Sequence, residues 1–192
     1  TNATVSPTPY QKPFPPIRLA STTEDSFSRV GHQGYPIFLS MRGMDINDLE
    51  SNMKGYREAW RVAGHPGEGG DVSIRIPVYI AMTEAEAIEE PREGVEAYFA
   101  QMRNIFAANI GRPGTEPAEE RRSRSQRLES ISYEEILETK VIFGTPARVI
   151  DKLTQFKETL GLSGFTAELN PGGLLPMEAV QRSLKLLTQE VM

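Results

Sequence analysis

The 192-residue chain contains no cysteine, which excludes disulfides, thiolate zinc sites and a thiol nucleophile. Its two histidines, His32 and His65, do not form the HxH or HExxH spacing of a histidine metal site. No apolar run approaches the roughly 20 residues that a membrane-spanning helix requires. We therefore expect no metal site and no membrane partner, and a cytoplasmic protein is the default expectation.

Excess positive charge is also lacking, because the formal net charge is -5. The arginine-rich run from Arg121 to Arg127 alternates with Glu and Ser and contains no aromatic residue. A nucleic-acid surface is therefore not expected. Residues 111–130 are rich in charge and poor in apolar side chains, which predicts a surface excursion that is mobile. The hydrophobic content of 39% permits one globular domain with a core.

Apolar, β-branched runs alternate with amphipathic segments along the chain. Strands are predicted at 17–20, 36–40, 72–81 and 164–169, with a brief extended piece at 141–144. Each strand precedes a helix and no hairpin motif occurs, so the pattern predicts parallel strands joined by crossover helices. Four such units form either an open doubly wound sheet or half of an eight-stranded barrel, and periodicity does not decide between them. No GxGxxG or GxxxxGK[ST] follows a strand, which disfavours a nucleotide-binding version.

Helix boundaries are marked by capping residues. Asp25, three residues after Thr22, resembles a capping arrangement, and Thr83 with Glu86 forms a capping box. Asp45 and Thr145 are also predicted N-caps. The helix after Thr83 is expected to run to about residue 110 with a break at Pro91, and Gly64 and Gly161 are expected to end their helices. Predicted core stripes are Leu49, Met53, Tyr56 and Trp60; Val149, Leu153, Phe156 and Leu160; and Val180, Leu184, Leu187 and Val191.

Several motifs together resemble those of the bacterial luciferase-like monooxygenases. Gln11–Ile17 resembles the family's QKPHPPI, and residues 20–26 with 34–40 resemble AATSPES…GLPLLLS. Residues 78–87 are similar to VYVAETEAEA, and 143–153 are similar to VGTPEEVADRL. Each motif alone is weak, but their order and spacing extend over nearly the whole chain. The resemblance covers barrel strands five to eight and nothing before them.

This resemblance implies that residues 1–192 are a single partial domain, the C-terminal half of a (β/α)8 TIM barrel. The family binds reduced flavin, FMN or in some members a deazaflavin, at the C-terminal ends of the strands. Typical members use O2 to oxidise a small organic substrate, and a separate flavin reductase often supplies the reduced cofactor. The resemblance therefore implies a flavoprotein oxidoreductase, and it makes a homodimer plausible by analogy.

The turn after the first strand carries the main candidate site. Thr22, Thr23 and Ser26 place hydroxyls around a helix N-terminus, where free amides and the helix dipole favour a phosphate. The family holds the flavin phosphate at this turn, and Thr23 and Ser26 match its hydroxyl residues best. Plain helix capping is the alternative from the residues alone. Glu24 departs from the proline often found there, and its charge opposes a phosphate unless it faces solvent.

Other candidates lie at the ends of later strands. Met41 is a candidate cofactor contact, because it follows the second strand and could pack on a flavin or substrate, and Arg42 could contact an anion. An ordinary βα loop is an equal interpretation. Asn170–Gly173 follows the last strand, where barrels often bind phosphate, but we favour a tight turn. His32 and His65 are expected at the surface and Trp60 in the core.

The catalytic residues stay unknown, because in the family they lie mostly on strands one to four. Two alternatives to an enzyme remain open. One is a non-catalytic flavin-binding relative, and the other is a structural half-barrel that needs a partner chain.

Overall fold

The computed structural model describes residues 6–111 and 118–192. In chain order the elements are β1 (Leu19–Ala20), α1 (Glu24–His32), β2 (Ile37–Ser40), α2 (Ile46–Val62), β3 (Val72–Ile80), α3 (Glu84–Glu89), α4 (Arg92–Asn109), α5 (Ala118–Glu129), α6 (Tyr133–Thr139), β4 (Ile142–Gly144), α7 (Pro146–Leu160), β5 (Gly164–Glu168) and α8 (Met177–Leu186). A 3-10 turn, Pro171–Gly173, precedes α8, and a π-helical turn, Leu187–Val191, follows it.

All described strand pairs are parallel, as the strand–helix alternation predicted. β1 pairs with β2, β2 with β3, and β3 with β5. Among the described strands, the short strand β4 pairs only with the C-terminal end of β3, with Val78 opposite Ile142. The strands β1, β2, β3 and β5 therefore lie side by side in the sheet, and because all pairs are parallel their C-terminal ends meet at one edge.

The two faces of the sheet carry different side chains, because strand residues alternate between faces. On β3, Ile74, Ile76 and Val78 are fully buried in a core shared with α1, α2 and α7. Arg75 lies between them in sequence and points to the opposite face, where it is partly exposed. The apolar face thus anchors the helices, while the other face is free to carry polar groups.

A second apolar cluster forms where α4, α5 and α6 pack near the C-terminal end of β3. Its members include Tyr79, Tyr98, Phe99, Leu128 and Phe143. Leu128 is only 4% exposed, so α5 packs on its neighbours along one stripe. The predicted surface excursion at 111–130 therefore contains a packed helix, and residues 112–117 lie outside the described part of the chain.

Most predicted boundaries are confirmed. Asp45 caps α2, Thr83 and Glu86 form a capping box, Pro91 separates α3 from α4, and Gly161 ends α7 in a left-handed conformation. Thr145 is confirmed as the N-cap of α7 with Pro146 next.

Two local predictions were wrong. The capping box of α1 pairs Thr23 with Ser26, one residue later than Thr22 and Asp25. On α8 the buried side chains are Ala179 and Ser183, whereas Leu184 is 42% exposed. Ser183 is buried because its hydroxyl accepts the Ile80 amide at 2.9 Å, which turns this helix face toward β3.

Candidate functional site

A cavity of about 310 Å³ lies at the C-terminal ends of β1 and β2, beside β3. The alternation along β2 buries Ile37 and Leu39 in the core and leaves Phe38 and Ser40 on the cavity side. The remaining lining comes from the β1–α1 turn, the loop after β2, β3 and α4, and comprises Ala20, Ser21, Thr22, Arg42, Gly43, Met44, Arg75 and Phe106. This position matches the edge where parallel α/β proteins bind their ligands.

In the β1–α1 turn the hydroxyls of Thr23 and Ser26 are engaged in hydrogen bonds. Thr23 Oγ1 accepts the Ser26 amide at 3.3 Å, and Ser26 Oγ accepts the Thr23 amide at 3.1 Å. Within the described residues, the exposed Thr22 hydroxyl and the Glu24 and Asp25 amides have no hydrogen-bond partner. Thr23 and Ser26 therefore shape the helix end, while Thr22 and these two amides can contact a ligand.

A second, more polar cleft of about 330 Å³ adjoins the cavity. Thr22, Gly43 and Met44 line both spaces, so Thr22 lies between them. On the far side Arg127 of α5 is ion-paired with Asp48 of α2 at 2.8 Å. The exposed side chain of Glu24 also lines this cleft and can turn to solvent.

Four polar side chains from separate elements meet beside the cavity. Arg75 on β3 pairs with Glu168 on β5 through Nη2–Oε1 at 2.5 Å and Nε–Oε2 at 3.1 Å. Tyr98 of α4 donates to Glu168 at 3.3 Å and accepts from Arg42 Nε at 2.7 Å. Burial, with the Glu168 carboxylate second, raises the pKa of the Tyr98 hydroxyl above its ordinary value.

Sequence reasoning named Arg42 but missed the other three members of this network. The hydrogen-bonded partners of this network lie 56, 70 and 93 residues apart along the chain, so no local spacing links them. The only available indication was the single basic residue inside the apolar run of β3.

The loop after β2 holds Met41 and Arg42 on opposite sides. Met41 is 2% exposed and packs in the main core, so its side chain does not line the 310 Å³ cavity. Arg42 points to the cavity and is partly exposed. Lys140 holds this loop in place, since its Nζ donates to the Met44 carbonyl at 2.8 Å. Burial lowers the pKa of Lys140.

The other sequence candidates lie away from the cavity. Residues 171–173 form a tight 3-10 turn, and Asn170 Oδ1 accepts the Leu175 amide at 3.1 Å. His32 is exposed, whereas His65 is half-buried and bonds to the His32 carbonyl at 2.9 Å. Trp60 is 7% exposed, which confirms its core position.

Residues 6–111 and 118–192 contain neither a metal-binding cluster nor a membrane-spanning helix. No group of three or more His, Asp or Glu side chains is placed to hold a metal ion. No helix there has the length and apolar character needed to cross a bilayer.

A parallel α/β sheet with a cavity at the C-terminal ends of its strands defines a class of ligand-binding enzyme folds. The family model of the luciferase-like monooxygenases matches residues 1–163. The chain therefore belongs to the luciferase-like monooxygenase family, as the sequence motifs predicted. A search of curated protein sequences gives no significant match.

Solved structures of similar fold include three enzymes. A monooxygenase from Streptomyces bottropensis has 18% identity and a TM-score of 0.64, and the match covers 95% of this chain and 49% of that one. The oxygenating constituent of 3,6-diketocamphane monooxygenase from Pseudomonas putida, solved in complex with FMN, has 20% identity and a TM-score of 0.65, with coverages of 93% and 48%. The coenzyme F420 dependent tetrahydromethanopterin reductase from Methanopyrus kandleri has 17% identity and a TM-score of 0.59, with coverages of 92% and 50%. The chain thus spans about half the length of these structures.

Proposed function

We propose that residues 1–192 form the C-terminal half, strands five to eight, of a flavin-dependent (β/α)8 monooxygenase. The observation that carries this proposal is the all-parallel sheet, in which β1, β2, β3 and β5 are neighbours in that order and the short β4 pairs with the C-terminal end of β3. Half of a barrel contains four parallel strands in this order, and one side of a doubly wound sheet keeps its order in the same way. The half-length match to monooxygenase structures supports the same proposal.

The flavin phosphate is proposed to bind at the N-terminus of α1. The donors that fit it are the free Thr22 hydroxyl and the amides of Glu24 and Asp25, supported by the positive end of the helix dipole. Thr23 and Ser26 contribute by holding the turn through their capping box. Glu24 and Asp25 are exposed, so their carboxylates can face solvent while their amides face the phosphate.

The cofactor is proposed to be reduced FMN, with a deazaflavin as the variant, because relatives of this fold are described with FMN and with coenzyme F420. When bound, the reduced flavin supplies the electrons for oxidation of a small organic substrate with O2. This chain contributes one wall of the substrate cavity through Phe38, Met44 and Phe106, which exclude water from the reacting groups. A flavin reductase and a second copy of the chain are the proposed protein partners.

Binding of FMN and of riboflavin, which lacks the phosphate, tests this proposal by fluorescence titration. FMN should bind more tightly than riboflavin. Thr22→Val should lower the affinity for FMN by about tenfold, as expected for the loss of one charge-assisted hydrogen bond. Riboflavin affinity should not change in that variant. Thr154→Val is the matched control, because Thr154 is exposed on α7 and makes no hydrogen bond among the described residues.

Equal affinities for FMN and riboflavin would reject the phosphate site. Oxygen uptake with reduced FMN and a substrate panel then tests turnover. Flavin binding without substrate-dependent oxygen uptake would favour a non-catalytic flavin-binding chain.

A further inference from the structure

We propose that the 310 Å³ cavity binds a small organic monoanion with an apolar body, and that Arg42 holds its negative group. This inference deepens the proposed function by naming the chemical class of the substrate. It rests on that function only in treating the bound anion as a substrate.

The charge balance at the cavity leaves one cation without an anion. Two guanidinium groups, those of Arg42 and Arg75, line the cavity. Glu168 engages Arg75 with both carboxylate oxygens, so that charge is compensated. Within the described part of the chain, Arg42 has no carboxylate partner.

Arg42 is held in place by a neutral group. Its Nε donates to the Tyr98 hydroxyl at 2.7 Å, and its Cζ lies 5.6 Å from the centre of the Tyr98 ring. These contacts orient the guanidinium without neutralising it. The terminal nitrogens therefore remain as donors for a planar carboxylate, which arginine recognises with two parallel hydrogen bonds.

Three apolar side chains of the lining fit the apolar body of the proposed ligand. Phe38 rises from β2, Phe106 comes from α4, and Met44 lies in the loop after β2. Such side chains stabilise an aromatic or aliphatic group by burying it. The volume of about 310 Å³ is at the lower end of the range for small-molecule sites.

A further polar group next to the cavity lacks a partner. Ser21 lines the cavity and is 3% exposed, and its hydroxyl has no hydrogen-bond partner. A buried hydroxyl is normally satisfied. A carboxylate bound in the cavity is the acceptor that this hydroxyl lacks in the free protein.

Calorimetric titration of the 192-residue chain with benzoate and with benzamide, its neutral analogue of similar shape, tests the proposal. Benzoate should bind at least about tenfold more tightly than benzamide. Arg42→Gln should reduce benzoate affinity by about tenfold or more, and Arg42→Lys should give an intermediate value because it keeps the charge but loses the planar pair of donors.

Two controls separate binding from folding. Tyr98→Phe removes the hydroxyl that accepts from Arg42 but leaves the cation, so benzoate affinity should fall by no more than about threefold. Arg61→Gln should have no effect, because Arg61 is paired with Glu58 on the exposed side of α2. Equal binding of benzoate and benzamide, or unchanged affinity in Arg42→Gln, would overturn the proposal.

FMN affinity and competition by inorganic phosphate, measured on the same samples, separate this proposal from the proposed function. In Arg42→Gln, loss of benzoate binding with unchanged FMN affinity supports a substrate site. If phosphate displaces benzoate and the same variant loses FMN, Arg42 belongs to the phosphate site and the proposal fails. Benzoate binding by a chain that does not bind FMN would support the anion site and reject the flavin function.

Discussion

Arg75 and Glu168 form a two-point ion pair across neighbouring strands, with Nε–Oε2 at 3.1 Å. Glu168 is only 16% exposed at its side chain, whereas Arg75 is 37% exposed. An exposed pair contributes about 0–1 kcal/mol. We expect a larger coupling free energy here, about 1–2 kcal/mol, because the carboxylate is mostly removed from water. Urea unfolding of Arg75→Gln, Glu168→Gln and the double variant measures it, and a coupling near zero would contradict the expectation.

Glu84 should make unfolding free energy depend on pH. Burial acts to raise the pKa of its carboxyl, but hydrogen bonds from the Thr145 amide and hydroxyl and from Arg148 together hold that pKa below its ordinary value. A lowered folded-state pKa stabilises the protein above the ordinary value of about 4.3, and this contribution is lost as the pH falls through the lowered pKa. Glu84→Gln should therefore lower the free energy of unfolding at neutral pH. The difference from the unsubstituted protein should become smaller as the pH falls.

Chemical unfolding at about pH 7 and about pH 3.5 checks this difference. Glu178→Gln is the control, because Glu178 is exposed on α8 and makes no hydrogen bond among the described residues. If Glu84→Gln and Glu178→Gln show the same pH dependence, Glu84 does not provide the stabilisation.

At Gly31, α1 packs directly against the backbone of α2. A Cβ atom there would lie 2.2 Å from the Tyr56 carbonyl oxygen, which is backbone and cannot move aside. We expect Gly31→Ala to destabilise the protein by about 2–3 kcal/mol through overpacking. Gly55→Ala is the matched control on α2, where the added atom would lie 3.1 Å from the Ser28 hydroxyl. That side chain can rotate, so the gain in helix propensity of up to about 1 kcal/mol should make this variant neutral or more stable.

Thermal unfolding of the two alanine variants decides between these effects. If both variants lose the same stability, the cost is a general property of alanine in these helices and the close approach at Gly31 is not its cause.

Alanine substitutions at two glycines in the turn after β5 distinguish the cost of a left-handed backbone from the cost of a steric clash. Gly172 has φ +82°, and a Cβ there would lie 2.0 Å from the Gly94 carbonyl oxygen. Gly173 has φ +75° with no atom within 4 Å. Gly173→Ala should cost about 1–2 kcal/mol from the left-handed backbone alone. Gly172→Ala should cost about 1–3 kcal/mol more, because α4 must also move. Equal unfolding free energies for the two variants would contradict this packing.

Ser183 satisfies a backbone donor at the end of β3. Its fully buried hydroxyl accepts the Ile80 amide, so Ser183→Ala should cost about 1–3 kcal/mol by leaving that amide without an acceptor. Thr188→Ala is the control on the same C-terminal segment, since its exposed hydroxyl bonds only within the helix and its loss should stay within about 0.5 kcal/mol. Hydrogen exchange at the Ile80 amide, which should speed up only in Ser183→Ala, checks the stated cause.

The sequence by itself determined the features that depend on neighbours in the chain. Asp45 and Thr83 mark helix starts, and Gly161 marks a helix end, because capping uses residues within one turn. The strand–helix alternation determined the parallel sheet, since crossover connections allow little else. The family motifs depend on the same local order.

Only the tertiary structure decided which side chains face the cavity. Met41 and Arg42 are adjacent in sequence, yet one lies in the core and the other at the cavity, and only the path of the chain after β2 settles this. Arg75 and Glu168 are 93 residues apart and meet because β3 and β5 are hydrogen-bonded in register. Local patterns carry no information on such a meeting, because strand pairing and helix docking are determined by burial across the whole sheet.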